Sequence, residues 1–99
     1  MNITKKLEGE QLCIALEGRL DTLSAPELEK EIKDGGLDGV KVLIFDMAGL
    51  EYISSAGLRT LLVAKRELHN KGTVKVINAN SIVKEVFDVT GFVDLLDVE

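Results

Sequence analysis

Val40-Lys41-Val42-Leu43-Ile44-Phe45-Asp46-Met47-Ala48-Gly49-Leu50-Glu51-Tyr52-Ile53-Ser54-Ser55-Ala56-Gly57-Leu58-Arg59 changes character twice along its length. Val40 to Phe45 is almost wholly apolar, which predicts a strand placed centrally or covered on both faces. Met47 to Ser54 reads as a loop. Leu58, Leu61, Leu62 and Leu68 then recur at helical spacing, so a helix is expected from Ser55 to Asn70, closed by Lys71-Gly72. Two serines therefore fall where the loop becomes the first turn of a helix. The first N–H groups of a helix lack internal partners, and the positive end of its dipole lies there. A serine hydroxyl at that place can cap the helix. If phosphorylated, it sets a dianion beside free donors.

Working outward, Ile3 to Leu7 and Leu12 to Leu16 alternate apolar and polar residues, as half-buried strands do. Glu8-Gly9-Glu10-Gln11 is the turn between them, giving an antiparallel hairpin. Ser24-Ala25-Pro26-Glu27 fits a capping box, with Ser24 as N-cap and Glu27 reaching back. Pro26 suits the first turn, and Ala25, Leu28 and Ile32 share one helical face. Gly35-Gly36 stops that helix. Thr73 to Ile77 is the next strand. Asn80 or Ser81 caps a short helix with Ile82, Val83, Val86 and Phe87 on its buried face, and Gly91 ends it. Phe92 to Leu96 reads as a weak last strand. The resulting order is β-β-α-β-α-β-α-β. Strands separated by helices are parallel with right-handed crossovers, so an α/β fold with a mixed sheet and an antiparallel first strand is expected.

The chain of 99 residues is 45 % apolar and carries one Pro, enough for one small domain with a true core. A net charge of −5 argues against nucleic acid as a partner. No apolar run reaches membrane-spanning length, and Met1 to Lys6 lacks the apolar stretch of a signal peptide, so a cytoplasmic protein with no direct membrane insertion is expected. The lone Cys13 cannot form an internal disulfide and reads as a small buried core residue. One Cys and one His do not supply a structural zinc site, so no metal is expected.

The chain lacks both the phosphate-cradling Gly-x-x-x-x-Gly-Lys-Ser/Thr loop and the dinucleotide pattern Gly-x-Gly-x-x-Gly; no nucleotide or other cofactor is expected. Ser55-Ala56-Gly57 matches half of a nucleophile elbow, but Ile53 replaces the first Gly, and the expected loop is too long for that sharp turn. A hydrolase needs a base near its serine. His69, the one candidate, stands near the far end of the same helix, about 20 Å away at the helical rise, where a favourable dipole contact explains it. No catalytic residues and no enzyme activity are expected. Glu27, Glu29 and Glu31 read as solvated surface. Asp21 and Asp46 fall at candidate strand ends, where α/β sheets gather ligands, and could share that edge with Ser54-Ser55; turn chemistry is the other account of Asp21.

Tyr52-Ile53-Ser54-Ser55-Ala56-Gly57-Leu58-Arg59-Thr60-Leu61-Leu62, preceded by Phe45-Asp46-Met47, closely resembles the signature of anti-sigma factor antagonists of the STAS family. Gly18-Arg19-Leu20-Asp21-Thr22 followed by Ser24-Ala25-Pro26-Glu27-Leu28 resembles that family's second landmark. The likeness runs from the first hairpin to Val93-Asp94. It implies one STAS-type domain over residues 1–99, a mixed sheet of about four or five strands with packed helices. It also implies partner switching: the unmodified protein binds an anti-sigma factor that is also a serine kinase, and the sigma factor is freed. Phosphorylation at the helix start dissociates the complex, and a serine phosphatase restores binding. The phosphoacceptor matches Ser55. Ser54 stands where well-known members carry Asp, and is the alternative acceptor. Asp21, Thr22, Ser54, Ser55, Leu58 and Arg59 are the implied partner surface, although Leu58 also fits the core stripe. Asn78 and Asn80 border the same site, with capping as the other account of Asn80. A monomer in isolation is expected. The alternative the resemblance leaves open is a non-phosphorylated STAS subunit of a membrane transporter or larger signalling assembly.

Overall fold

A computed structural model of the chain describes residues 1–33, 36–68 and 72–99. Gly35 and the His69-Asn70-Lys71 stretch lie outside the described residues. The expected hairpin forms from β1 (Asn2–Glu8) and β2 (Gln11–Leu20), paired antiparallel around a turn in which Gly9 takes a φ of 61°. Then follow α1 (Ala25–Lys33), β3 (Val42–Ile53), α2 (Ser55–Glu67), β4 (Thr73–Ile77), α3 (Ser81–Thr90), a 3₁₀ turn over Phe92–Asp94 and β5 (Asp97–Val98). The weak last strand expected over Phe92 to Leu96 is thus mostly that 3₁₀ turn, with the strand itself displaced toward the C-terminus.

The sheet order is β1-β2-β3-β4-β5, and every pair after the first is parallel. With consecutive order, right-handed crossovers place all the helices on one face. Burial agrees. Leu12, Ile14, Leu16, Leu43, Phe45, Met47, Val74 and Val76 are each 5 % exposed or less. Together with Leu28 and Ile32 of α1, Leu61 and Ala64 of α2, and Val83 and Phe87 of α3, they form one apolar cluster. The alternate residues Cys13, Ala15, Val42, Ile44, Asp46, Lys75 and Ile77 are only half-buried, on the opposite face. Of the two readings of the apolar run, the central placement holds, since β3 is the middle strand of the five, and coverage on both faces is corrected: its helix-facing side is closed and its other side is open. Cys13 is likewise on the open side rather than in the core. Desolvation, followed by the Asp46 carboxylate, pushes its thiol above the ordinary 9.0, which disfavours the thiolate.

β3 is also longer than expected. Met47 to Ile53 is strand, not loop. Two register shifts against β2 explain why the sequence hides it: Ala15 and Glu17 pair with Asp46 and Gly49, and Gly18 and Arg19 with Leu50 and Tyr52. Each gives β3 one extra residue, so the buried positions run Leu43, Phe45, Met47 and then slip to Leu50 and Ile53. The period of two is broken twice. Gly18 sits at the second shift with φ 105°, a conformation that suits glycine.

At α3, the Asn80 side chain accepts the Val83 N–H at 2.8 Å and donates to Leu50 O at 3.1 Å. It is both cap and tether to β3. Val83 and Phe87 fill the core, but Ile82 is 60 % exposed and does not belong to the buried face. At α2, Gly57 lies against two core side chains. A Cβ there would stand 2.7 Å from Leu20 Cγ and 2.8 Å from Ile53 Cγ1. Alanine in a helix is ordinarily better than glycine by about 1 kcal/mol; overpacking costs about 1–3 kcal/mol. The second effect wins here, because both obstructing atoms belong to fully packed residues. Gly57→Ala is expected to lower the free energy of unfolding by about 1–2 kcal/mol, read as a lower urea midpoint with an unchanged slope.

Candidate functional site

The parallel pairing of β2 with β3 ends at Leu20 and Ile53, and the next residue adds one more bond: Ser54 N–H donates to Leu20 O at 2.9 Å. Chain leaves the sheet at this point in two directions. From Leu20 it turns through Asp21 to Ser24 into α1; from Ile53 it passes through Ser54 alone into α2. The two sequence landmarks therefore meet at the carboxyl ends of adjacent strands.

Ser54 has extended backbone, φ −99° and ψ 176°, and is the N-cap of α2. Its half-buried Oγ accepts the Gly57 N–H at 3.4 Å. Ser55 is the first residue of the helix and is exposed. Arg59 lies one turn along on the same side of the helix and is exposed as well. Leu58 is 4 % exposed and packs in the core, so the structure removes it from the expected partner surface.

The Asp21 loop is built by turn chemistry. Asp21 Oδ1 accepts the N–H of Leu23 at 3.1 Å and of Ser24 at 3.2 Å. The Ser24 hydroxyl donates to Arg19 O at 2.7 Å and accepts the Asp21 N–H at 2.9 Å. Ser24 therefore does not form the expected capping box with Glu27; its hydroxyl is turned back into the loop, where Asp21 and Arg19 engage it. Thr22 is exposed at the loop's outer side. Arg19 stacks its guanidinium over the Tyr52 ring, 4.5 Å from the centroid, and its Nε stands 3.9 Å from Asp21 Oδ2.

Asp46 does not share this edge. β3 continues for the whole of Met47 to Ile53 beyond it, and Asp46 instead accepts from Ala48 N–H at 3.0 Å and Asn78 Nδ2 at 3.1 Å. Asn78 and Asn80 thus serve β4, β3 and α3 rather than the Ser55 surface. The turn from Ile53 to Ser55 is sharp, contrary to the expected loop. The elbow reading still lacks its first Gly, and the sequence holds a single His, which lies outside the described residues. Among the described residues, no group of acidic, His and Cys side chains is placed to hold a metal ion, and no helix is long and apolar enough to cross a membrane. Two features of the site that the sequence reading does not single out are the stacking of Arg19 on Tyr52 and Leu23, 87 % exposed between Thr22 and Ser24.

Comparison with known proteins gives a consistent result. The family model for the STAS domain matches residues 2–99. A protein of Bordetella bronchiseptica named as a candidate anti-sigma factor antagonist, BtrV, is 35 % identical over 94 residues, covering 94 % of this chain and 80 % of that one. Among solved structures, an anti-sigma factor antagonist from Mycobacterium paratuberculosis superposes with a TM-score of 0.87 at 20 % identity, over 98 % of this chain and 83 % of that one. The Bacillus cell fate determinant SpoIIAA, in its phosphorylated form, superposes with a TM-score of 0.76 at 21 % identity, over 99 % and 91 %.

The Asp21 loop has a measurable signature. The carboxyl is held below its ordinary 3.8, chiefly by the Ser24 N–H, against partial desolvation, and further by the Leu23 N–H, the Ser24 hydroxyl and Arg19. A depressed folded-state value means that the ionised carboxylate stabilises the fold above the unfolded value, and that this contribution fades as pH falls through the folded value. Asp21→Asn is expected to be less stable than the wild type by a constant margin at neutral pH. The margin should shrink only below about pH 4, as followed by urea unfolding across pH.

Proposed function

The chain belongs to the STAS domain family, and on that basis we propose that it is an anti-sigma factor antagonist switched by phosphorylation of Ser55. The observation that carries this reading is the contrast between two adjacent serines. Ser54 Oγ is half-buried and occupied as the helix cap, whereas Ser55 is exposed at the first helical position. A kinase needs a hydroxyl it can reach, and Ser55 offers one. Phosphorylating Ser54 would burden the very oxygen that caps Gly57.

In the unmodified state the surface formed by Thr22, the uncharged Ser55 and Arg59, with Asp21 and Ser54 behind it, docks on the anti-sigma factor, which releases its sigma factor. The partner, acting as a serine kinase, supplies ATP and the base. The Ser55 oxygen forms a bond to the γ-phosphorus, the bond to ADP breaks, and the hydroxyl proton passes to the kinase. A serine phosphatase reverses the change by hydrolysis. This chain contributes the hydroxyl and its presentation, and acts as a regulator rather than as an enzyme.

Magnitudes favour a switch by contact rather than by refolding. The phosphate adds about −1.5 to −2 charges at neutral pH. At the start of α2 the dipole offsets this by about 0.3–1 kcal/mol when exposed, so the fold tolerates it. The same dianion enclosed in an interface without partners costs several kcal/mol, and each 1.4 kcal/mol or so is tenfold in affinity. SpoIIAA, a protein of the same fold, is known in a phosphorylated form.

The test is capture from native cells with wild type, Ser55→Ala and Ser55→Asp as baits, joined to a phosphorylation assay with the captured kinase and ATP. Ser55→Ala is expected to bind and to resist modification. Ser55→Asp is expected to keep its circular dichroism and lose the partner, and Ser54→Ala to be still modified. Undiminished binding by Ser55→Asp, or phosphate located on Ser54, overturns the reading.

A further inference from the structure

At 87 %, Leu23 is the most exposed of the large apolar side chains described. A lone exposed leucine is ordinary. This one is held in place. Its N–H is fixed on Asp21 Oδ1, the next residue is bonded to the same oxygen and to Arg19 O, and the Ala25 N–H closes the loop on Asp21 O at 2.8 Å. A loop so fastened has its backbone already ordered beneath an exposed apolar side chain, which reduces the ordering cost of covering it. It also belongs to the segment that leaves β2 at Leu20, the residue whose carbonyl anchors Ser54.

Leu23 borders a shallow hollow of about 420 Å³, lined also by Arg19, Asp21, Glu27 and Glu51. Arg19 faces Asp21 across 3.9 Å, and Met1 with its N-terminal ammonium also lines the hollow, so Glu27 and Glu51 outweigh that one further cation by a single charge. The rim of this hollow is therefore acidic.

We infer that Leu23 is the apolar anchor of the Ser55 surface: the anti-sigma factor receives it in an apolar pocket and sets a Lys or Arg beside that pocket, over Glu27 and Glu51. This rests on the switch proposed above and adds the residue that supplies affinity in the unmodified state. Ser55 then controls access, and Leu23 supplies much of the grip. A buried leucine anchor and a rim charge pair leave different signatures, since only the second depends on salt.

The experiment uses the purified protein that Ser55→Ala captures and Ser55→Asp does not. Its dissociation constant is measured by calorimetry at low and high salt for wild type, Leu23→Ala, the double variant Glu27→Gln/Glu51→Gln, and Leu7→Ala. Leu7, 64 % exposed on β1, is the control for another exposed leucine away from the site. Leu23→Ala is expected to weaken binding about tenfold or more at both salt concentrations, with an unchanged melting temperature. Leu7→Ala should stay within about twofold of wild type, and the double variant should weaken binding mainly at low salt. Binding by Leu23→Ala within about twofold of wild type, while Ser55→Asp fails to bind, overturns the anchor and leaves the switch standing. If no protein distinguishes the two Ser55 variants, the switch falls and the anchor falls with it.

Discussion

The hydrogen bond from Ser54 N–H to Leu20 O is the constraint on which the site depends. It extends the parallel pairing of β2 and β3 by one bond at the place where both strands leave the sheet. The residue after Leu20 is Asp21, and the residue after Ser54 is Ser55, so one backbone bond sets the acidic loop beside the helix start. Gly57 completes the arrangement, because the first turn of α2 lies on Leu20 and Ile53 and no Cβ fits between them. The glycine of the Ser-Ser-Ala-Gly run is thus explained by packing alone, without any role in chemistry.

Residues that build this geometry differ from those that present it. Leu20, Ile53, Gly57 and Leu58 are buried, while Thr22, Leu23, Ser55 and Arg59 are exposed. Asp21 and Ser54, half-buried, and Ser24, buried, join the two sets and direct their polar atoms mainly to backbone groups. A charge added at Ser55 therefore meets solvent and the helix dipole, not the core. Stability and recognition can change separately here, which is what a reversible covalent switch requires.

Local periodicity made much of the fold legible. Alternation over Ile3 to Leu7 and Leu12 to Leu16 gives the hairpin, and the Leu58, Leu61, Leu68 spacing gives α2. Asn80 was readable as a cap because a cap needs only the residues next to it. What stayed hidden required a neighbour distant in sequence. The second half of β3 lost its period of two at the register shifts, which depend on β2. The open face of the sheet was unreadable because Val42 and Ile44 are as apolar as Leu43 and Phe45, although only the latter two face helices. Ser24 carried a capping pattern, but Asp21 and Arg19 outcompeted the helix for its hydroxyl. Leu23 went unnoticed because apolar residues in loops carry no pattern.

The one-sided architecture bears on where a partner can act. With every helix on one face of the sheet, the N-terminus of α2 emerges at the sheet's end rather than over its middle. The carboxyl ends of β2 and β3 are then flanked by loops instead of by a second helical layer. Ser55 and the outer side of the Asp21 loop are both exposed there, so the docking proposed above displaces no core element. A surface organised in this way is open to recognition from the strand ends, and under the proposed switch the exposed Ser55 hydroxyl at the helix start is where an added charge changes the contact most.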